Sequence, residues 1–172
     1  ILTTGIHGLS KLGFLIQNKI NFDNEFSLNE RLIIKSIEHF CRPRVYPNFL
    51  SNLLKTRSNK NTKRIGCTDS SDGLFQALQD LAIASNCRAI INYDEIPKDK
   101  DWPQGEKWDE YYFFGGEDYE LVFSLPKQWA KNLSKRIKNI NEIGFFADGE
   151  PSIEFKDNKK NKLLENTPFK HF

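Results

Sequence analysis

The sequence predicts an α+β fold, with a mixed, mostly antiparallel sheet covered by helices. Three observations lead there. Several segments carry apolar residues at helical spacing. Short runs rich in β-branched and aromatic residues lie between them. The two kinds intermix without regular βαβ alternation, which argues against an all-parallel sheet.

Taken in order, Ile1 to Thr4 is a short strand candidate, and Gly5 and Gly8 punctuate the turn after it. Leu9, Leu12, Leu15 and Ile16 then recur at helical spacing. Ser27 with Glu30 has the form of a capping box, ahead of a stripe at Leu28, Leu32, Ile33 and Ile37. Arg42-Pro43-Arg44-Val45-Tyr46-Pro47 must be extended or turned, because proline disfavours helix in the residue before it. Pro47 opens a third helix with Phe49, Leu50, Leu53 and Leu54. Thr56 to Arg64 is a solvated basic loop, and Ile65 to Thr68 is a strand.

Gly73 to Ser85 is the clearest helix, with Leu74, Ala77, Leu78, Leu81 and Ala82 on one face and Asn86 at its C-cap. Arg88 to Tyr93 is a strand, and Ile96 to Tyr111 is expected to be a loop holding two tryptophans and many charges. Tyr119 to Leu125 is a strand. Pro126 opens a helix carrying Trp129, Leu133 and Ile137. Ile140 to Phe146 and Ser152 to Phe155 are strands, and Lys156 to Lys162 is a polar hairpin or loop.

Composition removes several classes of function. At 172 residues the chain is long enough for one domain with a proper core. Its 25 basic and 23 acidic residues leave a net charge of +2, so there is no electrostatic case for nucleic acid. The apolar runs are too short to span a membrane, and no signal peptide is visible. Cys41, Cys67 and Cys87 are scattered and lack CxxC spacing, which argues against a disulfide framework or zinc site. They read as reduced thiols of a cytoplasmic protein. The chain opens at Ile1 and has no methionine, as expected of a fragment lacking an N-terminal part.

Two turns carry candidate chemistry. In Thr68-Asp69-Ser70-Ser71-Asp72-Gly73-Leu74, two carboxylates flank two serines between a strand and a helix. Neighbouring carboxylates repel unless a cation neutralises them, and Mg²⁺ commonly takes one or two carboxylates plus substrate phosphates. Free amides at a helix start favour anions. Helix capping is the other reading, since Ser and Asp are preferred N-caps. In Gly115-Gly116-Glu117-Asp118, the glycines permit positive φ or close approach to a ligand. The acids after them either bind a cationic or amine-bearing ligand or are simply solvated. His7, His39 and His171 are isolated in sequence and read as structural or surface residues.

Together these motifs resemble thiamine-monophosphate kinase, in its C-terminal domain. The resemblance rests on Thr3 to Gly5 with Gly8 opening a helix, Arg42-Pro43-Arg44-Val45, the Asp69 turn, Gly115-Gly116-Glu117-Asp118-Tyr119-Glu120-Leu121, and the closing Phe169-Lys170-His171-Phe172. It implies the aminoimidazole ribonucleotide synthetase-like fold, with residues 1–172 as one C-terminal ATP- and substrate-binding domain. An N-terminal Mg²⁺/ATP domain, which would also form a homodimer, is then missing.

It implies ATP-dependent phosphorylation of thiamine monophosphate to thiamine diphosphate. Asp69 and Asp72 would ligate Mg²⁺, Ser71 would contact ATP, and Glu117 and Phe169 would bind the substrate. No residue here would act as an acid, base or nucleophile, and the fragment alone would not turn over. Ser70 stands where the family commonly has Ile, a change expected to affect packing only. Pro-Phe-Lys-His-Phe replaces the usual Gly-Tyr-Asp-His-Phe, which keeps an aromatic ring but loses a hydroxyl. A related ribonucleotide or selenophosphate synthetase, or a non-catalytic binding module, are the alternatives.

Overall fold

The computed structural model describes residues 1–19, 28–57 and 65–165. Ser27 and Phe169 therefore lie outside the described residues. The elements run β1 (Leu2–Thr4), α1 (Leu9–Gln17), α2 (Glu30–Cys41), α3 (Phe49–Lys55), β2 (Gly66–Asp69), α4 (Leu74–Ser85) and β3 (Cys87–Ile91). After these come α5 (Glu106–Phe114), β4 (Leu121–Ser124), α6 (Lys127–Arg136), β5 (Ile140–Glu142), β6 (Gly144–Asp148) and β7 (Ser152–Phe155).

The strands form two sheets, ordered β2-β4-β1-β5 and β6-β3-β7. All pairs in the first are antiparallel, and in the second β3 pairs antiparallel with β6 and parallel with β7. The α+β class with a mostly antiparallel sheet is as expected.

Side-chain alternation explains how helices cover both faces of the first sheet. Leu2 is in register with Phe123, and both join Leu53, Trp129, Leu133 and Ile140 in a core under α3 and α6. One residue along, Thr3 is in register with Val122, which points into the larger core. That core holds Leu9 and Leu12 of α1, the α4 stripe, Ala89 and Ile91 of β3, and Phe155 of β7. The period of two thus splits one short strand between two cores.

Three expectations fail for identifiable reasons. The segment read as a loop from Ile96 to Tyr111 contains most of α5. Its Trp108 and Tyr112 are one helical turn apart and both buried, and Trp108 meets Trp102 edge-to-face at 6.0 Å. Aromatic packing thus outweighs the surrounding charges and the weak helix signal. The single strand expected over Ile140 to Phe146 is broken at Ile143, so β5 joins the first sheet and β6 the second. Ile143 is fully buried at the corner, its amide donating to the Ile1 carbonyl. The segment after β7 is a 3₁₀ helix, Asn158–Glu165, rather than an open loop. At the described start of α2, Asn29 is the N-cap, its side chain accepting from the Arg31 amide at 2.8 Å.

Helices α1 and α2 touch at Gly13. A methyl group there would stand 2.2 Å from the Ser36 backbone carbonyl oxygen. In an isolated helix, Gly→Ala stabilises by roughly 0.5–1 kcal/mol. Here the intruding methyl meets backbone, which cannot step aside, and overpacking costs about 1–3 kcal/mol. Gly13→Ala is therefore expected to lower unfolding free energy in urea by about 1–2 kcal/mol. A gain in stability would show that the helices do not pack this closely.

Candidate functional site

The two motif turns meet at the open end of the β2–β4 pair. The last rung of the ladder is Asp69 against Leu121. Beyond it, the Ser70 amide donates to the Glu120 carbonyl at 2.9 Å, and the Glu120 amide donates back to the Ser70 hydroxyl at 3.1 Å. The Glu117 amide then donates to the Ser71 carbonyl at 2.7 Å. Ser70 is completely buried. The expectation that Ser at this position affects only packing is therefore corrected: its hydroxyl satisfies a buried backbone donor that would otherwise cost about 1–3 kcal/mol.

The Asp69 turn has an internal order of its own. The Asp69 carboxylate accepts the Ser71 amide at 2.9 Å, and the Gly73 amide closes the turn on the Ser70 carbonyl. The N-cap of α4 is Gly73, which has no side chain with which to cap. The capping role left open by the sequence is not taken at that position. Gly73 has φ +93°, and a Cβ there would lie 2.8 Å from the Phe114 carbonyl oxygen, so only glycine lets α4 start against the end of α5. Asp69 is exposed, while Ser71 and Asp72 are half-buried.

Beyond the glycines, the second motif alternates. Glu117 and Tyr119 face outward, and Asp118 and Glu120 are buried. Glu117 and Tyr119 both sit at positive φ, +68° and +53°, in the left-handed region that side-chain-bearing residues seldom occupy. The Tyr119 hydroxyl donates to Glu117 Oε2 at 2.8 Å. That bond, with the nearby charges of Glu117, Asp69 and Asp72, raises the phenol above its ordinary range. Asp69, Asp72 and Glu117 therefore share one electronegative surface around Tyr119. Among the described residues, no group of three or more His, Cys, Asp or Glu side chains is arranged to enclose a metal ion.

The inward residues were not foreseen as a group. Asp118 accepts the backbone amides of Gly8 at 2.6 Å and Ser10 at 2.9 Å, and so supplies the anion at the start of α1. Glu120 accepts from the hydroxyls of Thr4, at 2.6 Å, and Tyr46. His7 and His39, isolated in sequence, meet here. His7 Nε2 lies 2.8 Å from the Thr3 hydroxyl. His39 Nδ1 lies 3.0 Å from the Ser10 hydroxyl, and its Nε2 is 3.6 Å from Glu120 Oε1. Both are buried, so neither is a surface residue. The polar pattern Thr4, Asp118 and Glu120 next to glycines was the only sequence signal for this network.

Burial shapes the charges. It pushes the Asp118 carboxyl up to about 6, and the two amides and His39 offset that only in part. His7 is brought down to about 4, again chiefly by burial. Burial also opposes ionisation of Glu120, but His39, Thr4 and Tyr46 outweigh it and hold that carboxyl below its ordinary range. Tyr46 rises to about 12 through burial and its bond to Glu120. The three cysteines form no disulfide.

Comparison with known proteins places this geometry in context. No family model matches the sequence. Thiamine-monophosphate kinase of Prochlorococcus marinus is 33% identical over all of this chain and 52% of its own length. The protein of that name from Buchnera aphidicola is 30% identical, again over all of this chain and 52% of its own length. The chain thus spans about half the length of the curated relatives it matches.

Among solved structures, a thiamine-monophosphate kinase from Stenotrophomonas maltophilia superimposes with a TM-score of 0.67 at 21% identity, covering 90% of this chain and 49% of that one. A ThiL protein complexed with AMPPCP and TMP gives 0.66 at 24% identity, covering 99% and 50%. Hydrogenase maturation protein HypE gives 0.52 at 14% identity, covering 90% and 49%. At these identities the structural likenesses bear on the fold alone. The resemblance carried by the motifs extends along the whole sequence.

The buried network makes a prediction about pH. Asp118 holds its proton more tightly when folded, at about 6 against an ordinary 3.8. Its contribution to stability is full below pH 3.8 and is lost as pH rises through about 6, on the order of 3 kcal/mol in all. His7 has the opposite slope. At about 4 against 6.5, the unfolded chain takes the proton first, so stability is lost as pH falls from 6.5 to 4. Urea unfolding from pH 4 to 6.5 should show Asp118→Asn losing stability on acidification relative to the parent chain. His7→Gln should gain. Variant curves parallel to the parent would mean that neither group titrates from a buried state.

Proposed function

We propose that this chain, a relative of the thiamine-monophosphate kinases along its whole length, supplies one wall of a site that transfers the γ-phosphoryl of ATP to thiamine monophosphate. The product is thiamine diphosphate. In this reading residues 1–172 are a single C-terminal ATP- and substrate-binding domain of a cytoplasmic enzyme. The remaining walls, and a homodimer contact, belong to the other half of the length seen in the relatives. The isolated chain then binds ligands without turning over.

The observation that carries the reading is the 2.7 Å bond from the Glu117 amide to the Ser71 carbonyl. It joins the two motif turns, so the turn carrying Asp69, Ser71 and Asp72 adjoins the one carrying Glu117. Phosphoryl transfer needs positioning and charge neutralisation more than covalent help from the protein. Adjacent fixed groups of this kind suit it, and no activated Cys or His is required.

Asp69 and Asp72 would hold Mg²⁺. Mg²⁺ commonly takes one or two carboxylates and completes its shell with phosphate oxygens and water. When bound, the ion neutralises phosphate charge. Asp69 keeps the loop shaped by accepting the Ser71 amide. Ser71 would offer its hydroxyl to ATP. Glu117, held by the Tyr119 hydroxyl, would meet the cationic thiazolium-bearing substrate, and Phe169 would lie against its rings.

Calorimetric titration of the chain with thiamine monophosphate in the presence of Mg²⁺ and a non-hydrolysable ATP analogue tests the assignment. Saturable binding of the thiamine ester is expected, and indifference to it in the same titration of the full-length protein would remove thiamine as the substrate. In the complete kinase, Asp72→Asn should lower kcat on the order of 10²-fold, while unfolding free energy stays within about 0.5 kcal/mol. Lost stability with intact turnover would assign the residue to structure. Glu117→Gln should act mainly on KM for thiamine monophosphate, and an unchanged KM would count against substrate contact.

A further inference from the structure

Beside His39 of the buried network lies an open pocket of about 270 Å³, lined by Lys35, Glu38, His39, Arg42 and Arg44. We propose that it binds a small tetrahedral oxyanion, a phosphate group, independently of the Asp69 turn. Nothing in the proposed kinase chemistry uses these residues, and the proposal does not rest on that chemistry.

The charge balance points to an anion. Lys35 is paired with Asp99 at 2.5 Å, and Arg31 with Asp99 and Asp101. Those two cations and two acids cancel. Arg42 and Arg44 make no ion pair among the described residues, and Glu38 is the one acid beside them in the lining. The rim therefore keeps a surplus positive charge. The C-terminal end of α2 favours one cation, which Arg42 supplies as its C-cap residue. The helix has no such claim on Arg44. Pro43 fixes the backbone between the two guanidiniums, whose planar forks suit phosphate oxygens.

The floor is built rather than incidental. His39 is 6% exposed, fixed by Ser10 on one side and facing Glu120 on the other. Glu120 Oε1 is buried without a hydrogen-bond partner among the described residues. Such an atom is costly unless a neighbour carries a proton toward it. With its two nitrogens turned to Ser10 and Glu120, the ring is held as a fixed part of the pocket lining.

Size and Glu38 narrow the ligand. A pocket of about 270 Å³ accommodates a phosphate group, the part of a ligand its arginines would grip. A carboxylate beside the arginines rejects a fully ionised anion but accepts the O–H of a monobasic phosphate. Sulfate, which carries no proton near neutral pH, lacks that donor.

Titration of the 172-residue chain with inorganic phosphate, glycerol 3-phosphate and sulfate decides the matter, in EDTA and without nucleotide. Saturable phosphate binding is expected, tighter than sulfate. It should weaken about tenfold or more in Arg42→Gln/Arg44→Gln and persist in Asp69→Asn/Asp72→Asn. Both arginines are exposed, so the first variant should keep the parent circular dichroism spectrum. Glycerol 3-phosphate binding as well as phosphate would identify the phosphate end of an ester as the ligand. Its exclusion would identify the free ion. Overturning results are no saturable binding, equal affinity for sulfate, binding unaffected by the arginine change, or binding lost with the Asp69 and Asp72 change. These titrations omit Mg²⁺, so their failure would leave the kinase assignment standing, and failure of that assignment would leave them standing.

Discussion

The Asp118 carboxylate is the contact on which the rest depends. It comes from a turn 110 residues downstream of Gly8 and accepts the first free amides of α1. A helix start buried without such a partner would strand several donors. By filling that role Asp118 locks α1 to the strand β4 that follows it, and thereby to β1 and β2. Gly5 shows how tight the fit is: a Cβ there would fall 1.9 Å from Glu120 Oε1, at a φ of +56°. The sequence meets this with glycine, and no other residue type fits both the angle and the space.

From this constraint follows the division of the second motif. With Asp118 and Glu120 anchored inside, Glu117 and Tyr119 are forced outward at positive φ. Each strained residue costs about 1–3 kcal/mol and persists only where its surroundings over-determine it. Here the surroundings are identifiable: Ser70 on one side, α1 on the other, and the Tyr119 to Glu117 bond across the top. The buried half of the motif builds the scaffold, and the other half stays at the surface. Local sequence could not separate them, because four consecutive polar residues look alike until their partners are known.

Most elements were legible because their signals are local. The α4 stripe, its left-handed Asn86 C-cap and the proline-led starts of α3 and α6 are set by residues three or four apart. α5 was not, since its apolar positions are aromatic and crowded by acids, and only Trp102, Tyr93 and Phe155 make them a core. The break at Ile143 was equally hidden, because both β5 and β6 have good strand sequences and the corner is imposed by their belonging to different sheets.

The sequence by itself determined the α+β class, the order of nearly all elements, and the turn at Asp69 to Asp72 as a place where carboxylates and hydroxyls collect. Those properties are written in periodicity, in proline and glycine placement, and in residue chemistry at short range. Tertiary structure alone decided which polar residues are buried. It made Ser70 a backbone partner, Asp118 a helix cap, and His7 and His39 neighbours of acids more than 80 residues away. It also brought Glu117 to Ser71. These are long-range pairings, fixed only when two packed cores hold β1, β2 and β4 in one register.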